Sequence, residues 1–224
     1  MTALIIGSIT PDFEYFIRMK ILAIHSHSLA GVFYFDLPLG IILTFLFHGV
    51  IRDTLIDNLP LPLKQRAVAV RYFNWAFYFR HHFVTVLASL LIGIFSHLLW
   101  DGFTHERGEF VEMIPQLRTL HNVFGVHVYL YRILQHSSTI IGLIVIGFVF
   151  WRLPMHKYVS PHIDIRYWVI ITVITIGITA VRTSFHSEDF KYTQPIVTII
   201  AGGIIGLSVA PWLLKVMKER TVAR

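Results

Sequence analysis

The sequence predicts an all-α fold: a polytopic membrane bundle of about five transmembrane helices, preceded by a short N-terminal interfacial or re-entrant segment. Three observations carry this. The 224 residues are 55% hydrophobic and only 14% charged, with a mean hydropathy of +0.65, outside the usual range of soluble domains. Five apolar runs approach the roughly 20 residues that cross a bilayer. Polar and ionisable residues cluster at the ends of those runs rather than alternating along them.

The spans fall at about Gly31 to Ile51, Val84 to Trp100, His136 to Trp151, Trp168 to Val181 and Pro195 to Leu214. Residues Thr2 to Ile9 are apolar but too short to cross, and Pro11, Asp12 and Glu14 follow at once. That segment lacks a basic start and a small-residue cleavage site, so it does not read as a signal peptide. Trp75, Tyr78, Trp151, Trp168 and Trp212 near span ends read as an interfacial aromatic belt. The chain forms one integral membrane domain over 1–224, with the motif-bearing part in 1–143 and further spans in 144–224.

Cysteine is absent, so any metal must be held by nitrogen and oxygen. The net charge of +6 does not indicate nucleic acid, because the basic residues sit singly beside apolar spans rather than in one stripe. Sorted by loop, seven Lys and Arg lie on the side of the 101–135 loop and twelve on the other. The positive-inside rule then places the second side, with the C-terminus, in the cytoplasm. Asp12, Glu14, His25, His27, Asp101, His105 and His136 all reach the opposite face, which is expected to be periplasmic for a bacterial inner-membrane protein.

Within GIFSHLLWDGFTH, His97, Asp101 and His105 recur every four residues. Ionisable groups in an apolar span are costly and occur mainly at paired or functional positions. On a helix, His97 and Asp101 stack on one face and form a ligand pair. His105 lies roughly 12 Å from His97 along a continuous helix. It shares their site only if the helix breaks at Gly102; otherwise it serves a second metal or the substrate. The alternative is a His97–Asp101 hydrogen bond that plugs a polar gap.

In GSITPDFEYF, Asp12 and Glu14 fall on one side of an extended segment, or else form an acidic helix cap, the simpler reading of that segment alone. In HSHSLAG, His25 and His27 diverge on a helix, and His27 next to the span is the better ligand. In LQHSST, His136 heads the third span with hydroxyls behind it. His48, His81, His82, His156 and His162 lie on the opposite side and read as interfacial. His121, His127 and His186 are weaker candidates on the motif face.

Taken in order, GSITPDFEYF, HSHSLAGVFYFDLPLG, SLLIGIFSHLLWDGFTH and LQHSSTIIGL resemble the bacterial membrane proteins grouped as domain of unknown function 4184, over about the first two-thirds of the chain. That family is in turn similar to the YdjM-like inner-membrane proteins, described as metal-dependent hydrolases. The resemblance implies metal binding by Asp12, His27, His97 and Asp101. Family members carry a further segment with a Ser-His pair ahead of the Pro-Asp motif, so the resemblance predicts either a start upstream of Met1 or one ligand fewer.

The resulting expectation is a membrane-embedded metal-dependent hydrolase, a phosphoesterase for a lipid or lipid-linked phosphate. Nitrogen and oxygen donors favour zinc, with manganese or iron as alternatives. Glu14 is expected as base or supporting carboxylate, and His105 and His136 as ligands of a second metal or of the phosphoryl group. The rival is a non-enzymatic transporter or ion-binding membrane protein. It predicts polar residues running through to the opposite face and inverted repeats, and neither is visible in the last two spans.

Overall fold

The computed structural model describes residues 1–185 and 194–222; the candidate His186 lies outside them, as do Lys191 and Arg224, two of the basic residues counted by loop. Two short helices open the chain, α1 (Thr2–Ile9) and α2 (Phe13–Arg18). The first span, α3 (Leu29–Asp57), contains π-helical turns at Val32–Asp36 and Phe47–Ile51. Two short helices of the connecting segment, α4 (Leu61–Ala67) and α5 (Trp75–His81), lead to the second span, α6 (Phe83–Thr104). A short α7 (Glu109–Met113) and an antiparallel hairpin, β1 (Leu120–Val123) and β2 (Val126–Tyr129), precede the last three spans. These are α8 (Leu130–Trp151), α9 (Ile165–Phe185) and α10 (Gln194–Val222). All five are long and apolar enough to cross a membrane.

The segment too short to cross lies against α6 instead. α1 runs in the same direction as α6, with Leu4 at Gly93, Gly7 between Leu90 and Gly93, and Ser8 reaching His97. Glycines make this approach possible: a Cβ on Gly7 would strike the Leu90 carbonyl, and one on Gly93 the Leu4 carbonyl. Small residues at a crossing let two backbones pack without a driving force from water. Gly93→Ala is therefore expected to cost about 1–3 kcal/mol or more by overpacking. It should appear as a lower thermal midpoint in detergent, and an unchanged midpoint would contradict the crossing.

Three local expectations change. The helix does not break at Gly102; α6 continues to Thr104, and Gly102 instead makes room for the Phe110 ring. The third span begins six residues before His136, at Leu130. Trp75 is 6% exposed and stacks on His48 at 4.6 Å between ring centroids, so both belong to the core rather than to an interfacial belt.

The opposite end of the bundle is tied by polar contacts between loops. Lys64 donates to the carbonyls of Ser160 and His162, Arg66 Nε donates to the carbonyl of Trp151 under its ring, and Trp168 Nε1 donates to the Asn58 carbonyl. This end is thus set by Lys64 and Arg66 of α4 and by Trp168 at the start of α9.

Candidate metal centre

Pro11 turns the chain out of α1, and Asp12 follows at the N-cap position of α2 with helical backbone angles. The 12–14 segment is therefore not extended, and the two carboxylates diverge. Asp12 makes no capping hydrogen bond. Its Oδ1 lies 3.7 Å from His27 Nε2 and 3.6 Å from His97 Nε2.

Glu14 goes the other way. It is 1% exposed, and Oε1 accepts from Arg18 Nε and the Ile24 amide while Oε2 accepts from the His25 and Ser26 amides. Burial alone would raise its pKa, but the Ser26, Ile24 and His25 amides and Arg18 outweigh it and bring it down to about 2. Both oxygens are committed to the 24–26 backbone, so Glu14 holds the loop that presents His27 and leaves no oxygen to act as a base.

That loop places His27 at φ 60, in the left-handed region that few side chains adopt. Its ring stacks on Tyr15, with centroids 5.6 Å apart, and its Nδ1 lies 2.9 Å from Ser26 Oγ. Burial, and the charges of Asp12, Asp101 and Glu14, push the Tyr15 phenol up to about 12, so it stays protonated at neutral pH. His25 turns away, with Nδ1 3.1 Å from the Tyr34 hydroxyl.

From α6, His97 Nδ1–H donates to the Ser8 carbonyl at 2.7 Å, which leaves the lone pair on Nε2. Asp101, one turn on, brings Oδ2 to 3.2 Å from His27 Nε2 and 3.3 Å from His97 Nε2. Donor atoms of Asp12, His27 and His97 lie mutually within 4.8 Å, and Asp101 closes the group through its two contacts to the histidines. His105, at the extended residue after α6, reaches the other oxygen of Asp101, with Nδ1 3.4 Å from Oδ1. His105 is thus adjacent to the group through Asp101, without a broken helix. His136 is exposed on α8 and has no contact with the cluster among the described residues; Gln135 beside it approaches His105 Nε2 at 3.4 Å.

These residues fit a divalent cation. Among the described residues His97 Nε2 is buried with no hydrogen-bond partner, and in the neutral ring its lone pair, facing carboxylate lone pairs, is repelled unless a cation sits between them. The four nitrogen–oxygen separations run from 3.2 to 3.7 Å. Charge-assisted hydrogen bonds are shorter, about 2.7–2.9 Å. Donors on neighbouring vertices of a zinc tetrahedron, with bonds of about 2.0–2.1 Å, lie roughly 3.3–3.4 Å apart. Two carboxylates and two neutral imidazoles also balance a dication.

One residue escaped the sequence reading. Asp36 is fully buried in the first π-helical turn of α3, within electrostatic reach of His27 and His97, and among the described residues neither of its oxygens has a hydrogen-bond partner. The signal was an acid inside the apolar run VFYFDLPLG.

No curated protein and no solved structure matches the chain. A family does, over residues 1–212, which carries the likeness beyond the first two-thirds and through most of the last span. The chain belongs to the family described as Domain of unknown function (DUF4184).

Proposed function

We propose that the protein is a membrane-embedded metal-dependent hydrolase, a phosphoesterase acting on a lipid or lipid-linked phosphate, with Asp12, His27, His97 and Asp101 holding the metal. The observation that carries this is the set of nitrogen–oxygen separations of 3.2–3.7 Å around a buried, hydrogen-bond-free Nε2, which suits donors sharing an ion better than donors sharing a proton. Zinc suits the two-nitrogen, two-oxygen set, and manganese or iron could replace it. A metal of this kind polarises a phosphoryl oxygen and acidifies water near neutral pH.

The chain's own residues supply the rest. Ser8 and Ser26 fix the outer nitrogens of the two imidazoles, which orients their Nε2 atoms. His105, half-exposed and anchored on the free oxygen of Asp101, is the group placed to meet a phosphoryl oxygen or pass a proton to solvent. Asp12 is also partly exposed, so water and a headgroup reach the cluster from the end of α6. On the positive-inside count, this face lies outside a bacterial inner membrane.

The test is elemental analysis of detergent-purified protein, with phosphate release measured on a panel of lipid phosphates. About one divalent metal per chain is expected, together with phosphate release that chelation abolishes and the metal restores. Metal without release from any lipid phosphate would favour the ion-binding alternative, to which the deeper, unpartnered Asp36 also speaks. Release insensitive to chelation would overturn the metal mechanism.

A further inference from the structure

At the end of the bundle opposite the metal cluster, the ends of α3, α9 and α10 and the loops beside them enclose a cavity of about 630 Å³. That is within the roughly 300–1,000 Å³ of small-ligand clefts. Its floor includes Pro211 and Leu214 of α10, and its wall is charged.

Most of that charge is already matched. Arg71 pairs in two-pronged fashion with Asp57, at 2.7 and 2.8 Å, and Arg166 with Asp164, at 2.8 and 2.7 Å. Among the described residues that line it, three ammonium groups form no ion pair with a carboxylate, Lys64, Lys215 and Lys218, the last within electrostatic reach of Asp164, and one carboxylate, Glu219, is likewise outside any ion pair.

Lys64 is the telling one. It is 4% exposed, and its Nζ donates to the carbonyls of Ser160 and His162 at 3.2 and 2.6 Å. Among the described residues no carboxylate pairs with it. An ammonium carries three protons, so one is left over. A buried cation without a counter-ion is strongly disfavoured, and here the open space beside it is rimmed by two further lysines.

We propose that this cavity binds a phosphate-bearing anion, seated against Lys64, Lys215 and Lys218. The apolar floor and the position at a span end suit the head group of an anionic membrane lipid, because basic pockets between transmembrane helices recognise such groups. Inorganic phosphate offers the same chemistry from solution. The site does not depend on the metal reading, and it lies at the other end of the spans.

The test uses full-length protein in zwitterionic detergent, titrated with phosphatidylglycerol, phosphatidylcholine or inorganic phosphate while the thermal midpoint is followed. Phosphatidylglycerol should raise the midpoint and phosphatidylcholine should not. In the exposed double variant Lys215→Gln/Lys218→Gln the half-saturating concentration should rise about tenfold or more. Arg152→Gln, which removes a cation that does not line the cavity, should respond like wild type. Protection by inorganic phosphate as well would assign the ligand to solution; protection by the lipid alone would assign it to the membrane. No protection by either phosphate source, an unchanged response in the double variant, or an equal loss in Arg152→Gln would overturn the proposal.

Discussion

Replacing His97 by alanine is expected to strip the chain of its divalent metal, with affinity falling on the order of a hundredfold or more, since even supporting partners of a ligand are worth about 10–100-fold. His97 is the most enclosed of the four donors, with its side chain 14% exposed, and its Nδ1 is locked to the Ser8 carbonyl. Asp101→Ala should fall nearly as far, because its Oδ2 faces both imidazoles. His105→Ala should keep its metal and lose turnover, since it touches only the outer oxygen of Asp101. His136→Ala should change neither. Elemental analysis of the four variants beside wild type reads the order of metal loss, phosphate release separates His105→Ala from His136→Ala, and equal metal in His97→Ala and wild type would refute the site.

The second large effect is expected at Glu14, and it concerns stability. Glu14→Ala leaves the Ile24, His25 and Ser26 amides and Arg18 without their acceptor in a buried place, a loss on the order of 3–5 kcal/mol. Because those amides carry the loop to His27, metal should be lost along with the thermal midpoint. A catalytic base would behave differently, with turnover falling while midpoint and metal held. The pH dependence has a definite sign. The folded-state pKa near 2 lies below the ordinary 4.5, so this stabilisation is complete above about pH 4.5 and fades as pH falls toward 2. The midpoint of wild type should drop across that window more than that of Glu14→Gln.

The parts of the molecule legible in the sequence are those governed by local rules. A span is set by the length of an apolar run, and His97 and Asp101 share a face because a helix repeats every 3.6 residues. What escaped depends on contacts distant in sequence. The role of Glu14 is decided by amides ten to twelve residues away, and the packing of α1 by glycines on two helices nearly ninety residues apart. The hairpin at 120–129 was hidden because its strands have four residues each and no alternation of burial, and its tip places Phe124 and Gly125 at positive φ. His105 reaches the cluster through an oxygen of Asp101 that spacing alone does not assign.

The bond from His97 to the Ser8 carbonyl crosses from α6 to α1. On the proposed metal reading, metal capture and the seating of α1 become one equilibrium viewed from two ends. Whatever lifts the first eight residues off α6 releases the imidazole to rotate and to change tautomer, and whatever binds between the imidazoles clamps those residues in place. With a metal bound as proposed, an eight-residue helix too short to cross a bilayer would gain an anchor made of coordination chemistry.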